Sequence, residues 1–249
     1  MEALLYSFLA GASTVIGALV IALFGQPQIK ILAGLLGFAG GIMLAISLFE
    51  LMPESAEIGS FPTTILGLFL GALMMYLLDK IVPHAHMSGG QELNMENATS
   101  MTMPSPGVAR TGYLVFFGIA LHNLPEGLAV GAGFETSPEL GIAVAFAIAL
   151  HNIPEGMAVA GPLRAGGLKW KNIYLLTLIA GLMSPVGVAI GLLIFGISPI
   201  LVSGGLGFAA GAMVYIVNDE LIPQSHRLDT HIANAGLLVG LALGFAIFY

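Results

Sequence analysis

Of the 249 residues 57% are hydrophobic and 8% charged, with 34 Gly and no Cys, and the mean hydropathy is +0.96; a water-soluble globular domain is excluded as the expected state. Seven Lys+Arg against fourteen Asp+Glu give a formal charge of −7, and no basic stripe exists to follow a phosphate backbone, so nucleic acid is not an expected partner. Without cysteine there is neither a disulfide nor a thiolate ligand for a metal.

A helix needs about 20 apolar residues to cross a bilayer, and the chain divides into eight such stretches. The first, 3–24, follows the acidic Glu2 where a cleavable signal wants cations, and its apolar run is longer than a signal core, so a retained span is expected. Stretches 31–52 and 61–82 come next. The polar segment 87–109, rich in Gly, Ser and Met, has no periodicity and reads as a loop. Five more stretches cover 111–133, 138–161, 173–196, 199–222 and 233–249. None alternates with period 2, which favours helices over a barrel. With the N-terminus outside, Lys30, Lys80, Arg110, Arg164, Lys169, Lys171 and Arg227 all fall on the cytoplasmic side, while Glu54, Glu57, Glu135 and Glu139 fall outside. The expected fold is therefore an all-α integral membrane protein of eight transmembrane helices, both termini extracellular or periplasmic.

Residues 37–55, GFAGGIMLAISLFELMPES, overlay 207–225, GFAAGAMVYIVNDELIPQS, with ten identities in nineteen positions and no gap. The shared Glu-Leu-x-Pro-x-Ser endings, Glu50 to Ser55 and Glu220 to Ser225, carry most of the weight. Under the assigned orientation the two copies run antiparallel, and such inverted repeats characterise secondary transporters, which bind substrate between the halves near the midplane. Recurrent GxxxG patterns at 37–41, 67–71, 187–191, 207–211 and 236–244 predict close helix packing.

The fourth and fifth stretches carry a second duplication, GIALHNLPEGLAVG at 118–131 and AIALHNIPEGMAVAG at 147–161. His122, Asn123 and Glu126 share one helix face, as do His151, Asn152 and Glu155. A carboxylate near the middle of a span costs about 2.5–3.5 kcal/mol on the lenient insertion scale, and the spans offer no Lys or Arg to offset it. A divalent cation balances two ionised Glu, and two imidazoles with two carboxylates suit Zn²⁺ or Fe²⁺. Pro125 and Pro154 free the carbonyls of Leu121 and Leu150 and kink the helices there. A His/Glu proton relay is the competing use of the same residues and is compatible with metal transport.

These two motifs, the Glu-Leu-x-Pro endings, the eight spans and the long loop after the third resemble the ZIP family of divalent metal (zinc/iron) transporters, with closest likeness to its bacterial GufA-type branch. The resemblance covers essentially the whole chain. It implies a 3+2+3 helical arrangement about a pseudo-two-fold axis, in one transporter domain over 1–249. That domain comprises a first three-helix repeat (1–82), a cytoplasmic loop (83–110), a central metal-binding pair (111–161) and a second repeat (173–249). A first metal would take His122, Glu126, His151 and Glu155; a second would take Asn123 and Asn152 with the two Glu as bridges. Many bacterial members carry a Glu before the proline of the sixth span, where this chain has Ser184 before Pro185. The second site is therefore expected to be absent, weak or differently selective.

At the cytoplasmic ends of spans three and seven, Asp79, His84, His86, Asp219, Glu220, His226 and His231 form a candidate release site, the resemblance supporting Asp79, His84, His86 and His226. Glu50 and Glu54 are candidates for an outer entrance, with solvated helix caps as the alternative. The expected function is uptake of a divalent transition metal, zinc first and Fe²⁺, Mn²⁺ or Cd²⁺ after it, by alternating access in a bacterial inner membrane. The metal is substrate rather than cofactor, the partners are metal ions and the lipid bilayer, and a homodimer is a candidate assembly. The alternative is an intramembrane zinc-dependent hydrolase, which would need an open coordination position and a separate base.

Overall fold

The computed structural model describes residues 1–81, 106–196 and 198–249. Among these there are ten α-helices and no strand: α1 (Glu2–Phe24), α2 (Ile29–Ala45), α3 (Met52–Ile58), α4 (Phe61–Ile81), α5 (Pro106–Thr136), α6 (Pro138–Ala165), α7 (Trp170–Gly181), α8 (Met183–Phe195), α9 (Pro199–Ile216) and α10 (Ile222–Phe248). They make seven continuous helical stretches long and apolar enough to cross a membrane, the last running 50 residues from Pro199 to Phe248. That stretch contains two of the spans expected from sequence. The backbone breaks inside it at Asp229 (φ −165°, ψ 107°), whose carboxylate accepts the backbone N–H of His231 and Ile232, so that it caps a new helix.

The sixth expected span is bent rather than straight. Pro185 has no N–H to offer the Gly181 carbonyl, and α7 gives way to α8 at Leu182 (φ −67°, ψ −11°). The repeated block of the sequence is repeated in backbone detail as well. A π-helical turn spans Ile46–Leu51 between α2 and α3, and another spans Val217–Leu221 between α9 and α10. Each precedes a proline, Pro53 or Pro223, and holds the glutamate of the Glu-Leu-x-Pro ending. π-turns of this kind concentrate at functional sites.

Glycine faces bring the helices together, backbone against backbone. In α10, Gly236 and Gly240 lie against the carbonyls of Gly34 and Phe38 of α2, and in α4, Gly67 and Gly71 lie against those of Gly204 and Phe208 of α9. A Cβ at any of these four would collide with the opposite main chain. The α2–α10 contact is thus duplicated by α9–α4, and each copy of the repeat packs against the last helix of the other. The same holds nearer the centre: Gly156 of α6 abuts the Thr14 carbonyl of α1, and Gly127 of α5 abuts the Ser184 carbonyl of α8.

Side chains as large as Leu193 (78% exposed), Phe69 (66%) and Leu238 (64%) point outward, an apolar surface suited to acyl chains rather than water. The interior is not wholly apolar. Beside its apolar core, His122, Asn123, Glu126, His151, Asn152, Glu155 and Ser184 are all at most 1% exposed.

Candidate metal site

The site is assembled by α5 and α6, a helical hairpin turned at Ser137, whose hydroxyl accepts from the Leu140 N–H to start α6. Because each motif has the same spacing, the hairpin sets imidazole against carboxylate crosswise. His122 Nε2 lies 3.2 Å from Glu155 Oε2, and His151 Nε2 lies 2.9 Å from Glu126 Oε1. His151 Nδ1–H donates to the Ala147 carbonyl at 3.1 Å; a carbonyl only accepts, so this bond fixes the tautomer and leaves Nε2 as the nitrogen that faces the carboxylates.

Ligand atoms of His122, Glu126 and Glu155 all lie within 4.8 Å of one another. Tetrahedral zinc with ligands at about 2.0–2.2 Å would hold them about 3.4 Å apart, a distance that small rotations of three side chains reach. Several donors in the site have no hydrogen-bond partner although they are buried: His122 Nδ1, Asn123 Oδ1, Glu126 Oε2, Asn152 Oδ1, Glu155 Oε1 and Ser184 Oγ. A buried polar atom left alone costs about 1–3 kcal/mol, so six in one place are a strong sign of a polar or ionic guest.

The asparagines have divided roles. Asn123 Nδ2 donates to the Ala180 carbonyl of α7 (2.9 Å) and Asn152 Nδ2 to the Ala10 carbonyl of α1 (3.0 Å). Tying down the NH₂ end of each amide leaves the Oδ1 end free as a neutral oxygen donor. Ser184 sits where its carbonyl meets Gly127, one residue from Glu126.

A cavity runs from His122 and Glu155 to the π-helical turn that follows α9. Its wall includes Leu36, His122, Glu155, Glu220, Leu221 and Gln224. Glu220 Oε2 stands 3.9 Å from His122 Nδ1 and is 20% exposed, the step between the dry centre and the surface. Of the other expected release residues, Asp219 is half-buried beside it in the π-helical turn, His226 Nε2–H donates to Asn234 Oδ1 at 2.8 Å, and His231 is exposed. His84, His86 and the side chain of Asp79 lie outside the described residues. Glu50, in the π-helical turn, and Glu54, in the first turn of α3, are both half-buried on the first copy of the repeat.

The sequence reading passed over Thr14, fully buried on α1 with its hydroxyl unpartnered. Carrying the 170-residue offset of the repeat back to the first helix pairs Thr14 with Ser184 and would have found it.

Residues 96–249 match the sequence profile of the ZIP zinc transporter family. Over nearly its whole length the chain is similar to proteins named zinc transporter ZupT: 40% identical over 246 residues to that of Enterobacter sp. (strain 638), covering 96% of this chain and 93% of the relative. The counterpart from Escherichia coli O7:K1 is 39% identical over 251 residues (98% and 95%), and that from Shigella flexneri serotype 5b is 39% identical over 250 residues (98% and 95%). With the duplicated His-Asn-x-Pro-Glu-Gly motifs facing each other in the protein interior, the chain belongs to the ZIP zinc transporter family.

Proposed function

We propose that the protein is a zinc transmembrane transporter that carries the ion into the cytoplasm through the His122, Glu126, His151 and Glu155 centre. The relatives named above are zinc transporters rather than enzymes, and the observation that carries the site assignment is the group of six unpartnered donors around the two crossed imidazole–carboxylate pairs. Two carboxylates neutralise a doubly charged ion, so the loaded centre presents no net charge to the low-dielectric interior. The imidazoles and carboxylates replace the water that the ion sheds. Asn123, Asn152 and Ser184 add neutral oxygens for a second or a harder ion.

Alternating access follows from the duplication. The eight spans are α1, α2–α3, α4, α5, α6, α7–α8, α9 and the part of α10 after Asp229, arranged as three, two and three, with 1–82 and 173–249 as inverted repeats around 111–161. The matched contacts α2–α10 and α9–α4 support this reading. Both termini face outward, and the membrane is the inner membrane of a bacterium. In the described conformation Glu220 reaches toward His122 and the cavity opens beside it, the arrangement of a site open to the cytoplasm. Exchanging the conformations of the two repeats would bring Glu50, the counterpart of Glu220, to His151 and open the outer side. Glu50 and Glu54 then receive the ion, and Glu220, with Asp219, His226 and the α4 terminus at Asp79, releases it.

The test is zinc flux into vesicles that contain the purified protein and a zinc-sensitive dye. Glu126→Ala and Glu155→Ala are expected to abolish dye response while leaving the protein inserted and monodisperse. Wild-type flux in either variant overturns the site.

A further inference from the structure

Seven buried side-chain nitrogen or oxygen atoms among the described residues lack a hydrogen-bond partner; six belong to the centre above, and the seventh is Thr14 Oγ1 of α1. A threonine inside a helix ordinarily satisfies its hydroxyl by bonding the carbonyl four residues back. For Thr14 that carbonyl, Ala10 O, is already engaged by Asn152 Nδ2 at 3.0 Å and by the Ser13 hydroxyl at 2.6 Å. Ser184 is in the same position on the other side, where the Ala180 carbonyl is engaged by Asn123 Nδ2. Each asparagine thus removes the usual acceptor of one hydroxyl while its own Oδ1 remains free.

The correspondence extends along both helices. Ala10, Gly11 and Thr14 match Ala180, Gly181 and Ser184, Gly11 and Gly181 touch each other, and Thr14 and Ser184 offer their carbonyls to Gly156 and Gly127 respectively. Gly156 follows Glu155 and Gly127 follows Glu126. Thr14 therefore lies on the same seam as Asn152 and Glu155, one helical turn beyond the Ala10–Asn152 bond.

We propose that the Thr14 hydroxyl is a metal-binding oxygen of the central site and a determinant of which ion it prefers; this rests on the reading of that centre as the transport site. The site then consists of two matched halves, His122, Glu155, Asn152 and Thr14 in one and His151, Glu126, Asn123 and Ser184 in the other. Each half offers one imidazole nitrogen and three oxygens, two of them uncharged. Oxygen-rich sets favour harder ions such as Mn²⁺ relative to Zn²⁺, which is held mainly by imidazole and carboxylate. With the Ser184 hydroxyl matched by that of Thr14, the two halves carry the same kinds of donor.

The test is equilibrium dialysis of the purified, detergent-solubilised protein against Mn²⁺ alone and Zn²⁺ alone. Thr14→Val keeps the shape and removes the oxygen. It is expected to weaken Mn²⁺ binding about tenfold, the lower end of what loss of a supporting metal-site residue costs, with a smaller change for Zn²⁺. Thr14→Ser restores the wild-type Mn²⁺/Zn²⁺ ratio. Melting of Thr14→Val stays level or rises, because an unpartnered buried hydroxyl is a liability to the fold; if that variant does not assemble, Thr14→Ala carries the same expectation. Unchanged Mn²⁺ and Zn²⁺ affinities in Thr14→Val, with both lost in Glu155→Gln, overturn the role of Thr14 alone. Wild-type binding of both ions in Glu155→Gln overturns the underlying site.

Discussion

Gly127→Ala puts one methyl group where α5 meets α8. Its Cβ would stand 2.8 Å from the Ser184 carbonyl carbon and 2.9 Å from Gly187 Cα. Carbon atoms rest about 3.5–4.0 Å apart, and main chain cannot rotate aside, so the two helices must part by about 1 Å. The Asn123 amide bond to the Ala180 carbonyl, 2.9 Å long, would open to about 3.9 Å and cease to be a hydrogen bond. Overpacking costs about 1–3 kcal/mol and the orphaned amide about 1–3 kcal/mol more. The consequence for transport is expected to be larger than for folding, because Asn123 belongs to the proposed site and a 1 Å misplacement of reacting groups costs about 100-fold in enzymes. Zinc flux in reconstituted vesicles should fall by about that factor, with lower thermal stability in detergent. Gly156→Ala, whose Cβ would stand 2.8 Å from the Thr14 carbonyl carbon, should behave alike, since it separates α6 from α1. Gly204→Ala is the control: its Cβ meets nothing within 4 Å, and the change is expected to be neutral or to stabilise by up to about 1 kcal/mol through helix propensity. Wild-type flux and melting in Gly127→Ala would refute the idea that backbone contact between these helices positions the site.

Glu220→Gln should retain zinc binding in dialysis but slow flux severalfold, since it removes the charge 3.9 Å from His122 on the proposed exit route; unchanged flux counts against that route. If Glu50 lies at the outer mouth as proposed, Glu50→Gln should raise the zinc concentration needed for half-maximal uptake without changing equilibrium zinc binding, and an equal effect on both quantities would argue against that placement. Asp229→Ala removes the cap that restarts the helix after the break and is expected to cost about 1 kcal/mol, read as a lower melting temperature with flux retained. Ser55→Ala deletes a hydroxyl that bonds Thr64 Oγ1 at 2.8 Å and the Ser203 carbonyl at 2.7 Å. It should destabilise by about 1–3 kcal/mol and leave dialysis affinity for zinc as it was.

The sequence by itself determined the solvent of this protein and the buried His/Glu group at its centre. A mean hydropathy of +0.96 leaves membrane-length helices as the way to satisfy the backbone, and helical spacing alone aligns His122 with Glu126 and His151 with Glu155. The duplicated Glu-Leu-x-Pro endings were equally legible, because identity at a constant offset requires no knowledge of folding. Tertiary structure decided which imidazole meets which carboxylate: the pairs are crossed between helices, His122 with Glu155 and His151 with Glu126, and no local pattern encodes a contact between residues brought together by a hairpin. It also decided that Pro185 splits one span into α7 and α8, and that Glu220 comes within 3.9 Å of His122. Thr14 shows the limit most clearly. The repeat offset pairs it with Ser184, but only packing, which directs the Asn152 amide onto the carbonyl its hydroxyl would have used, leaves that oxygen without a hydrogen-bond partner.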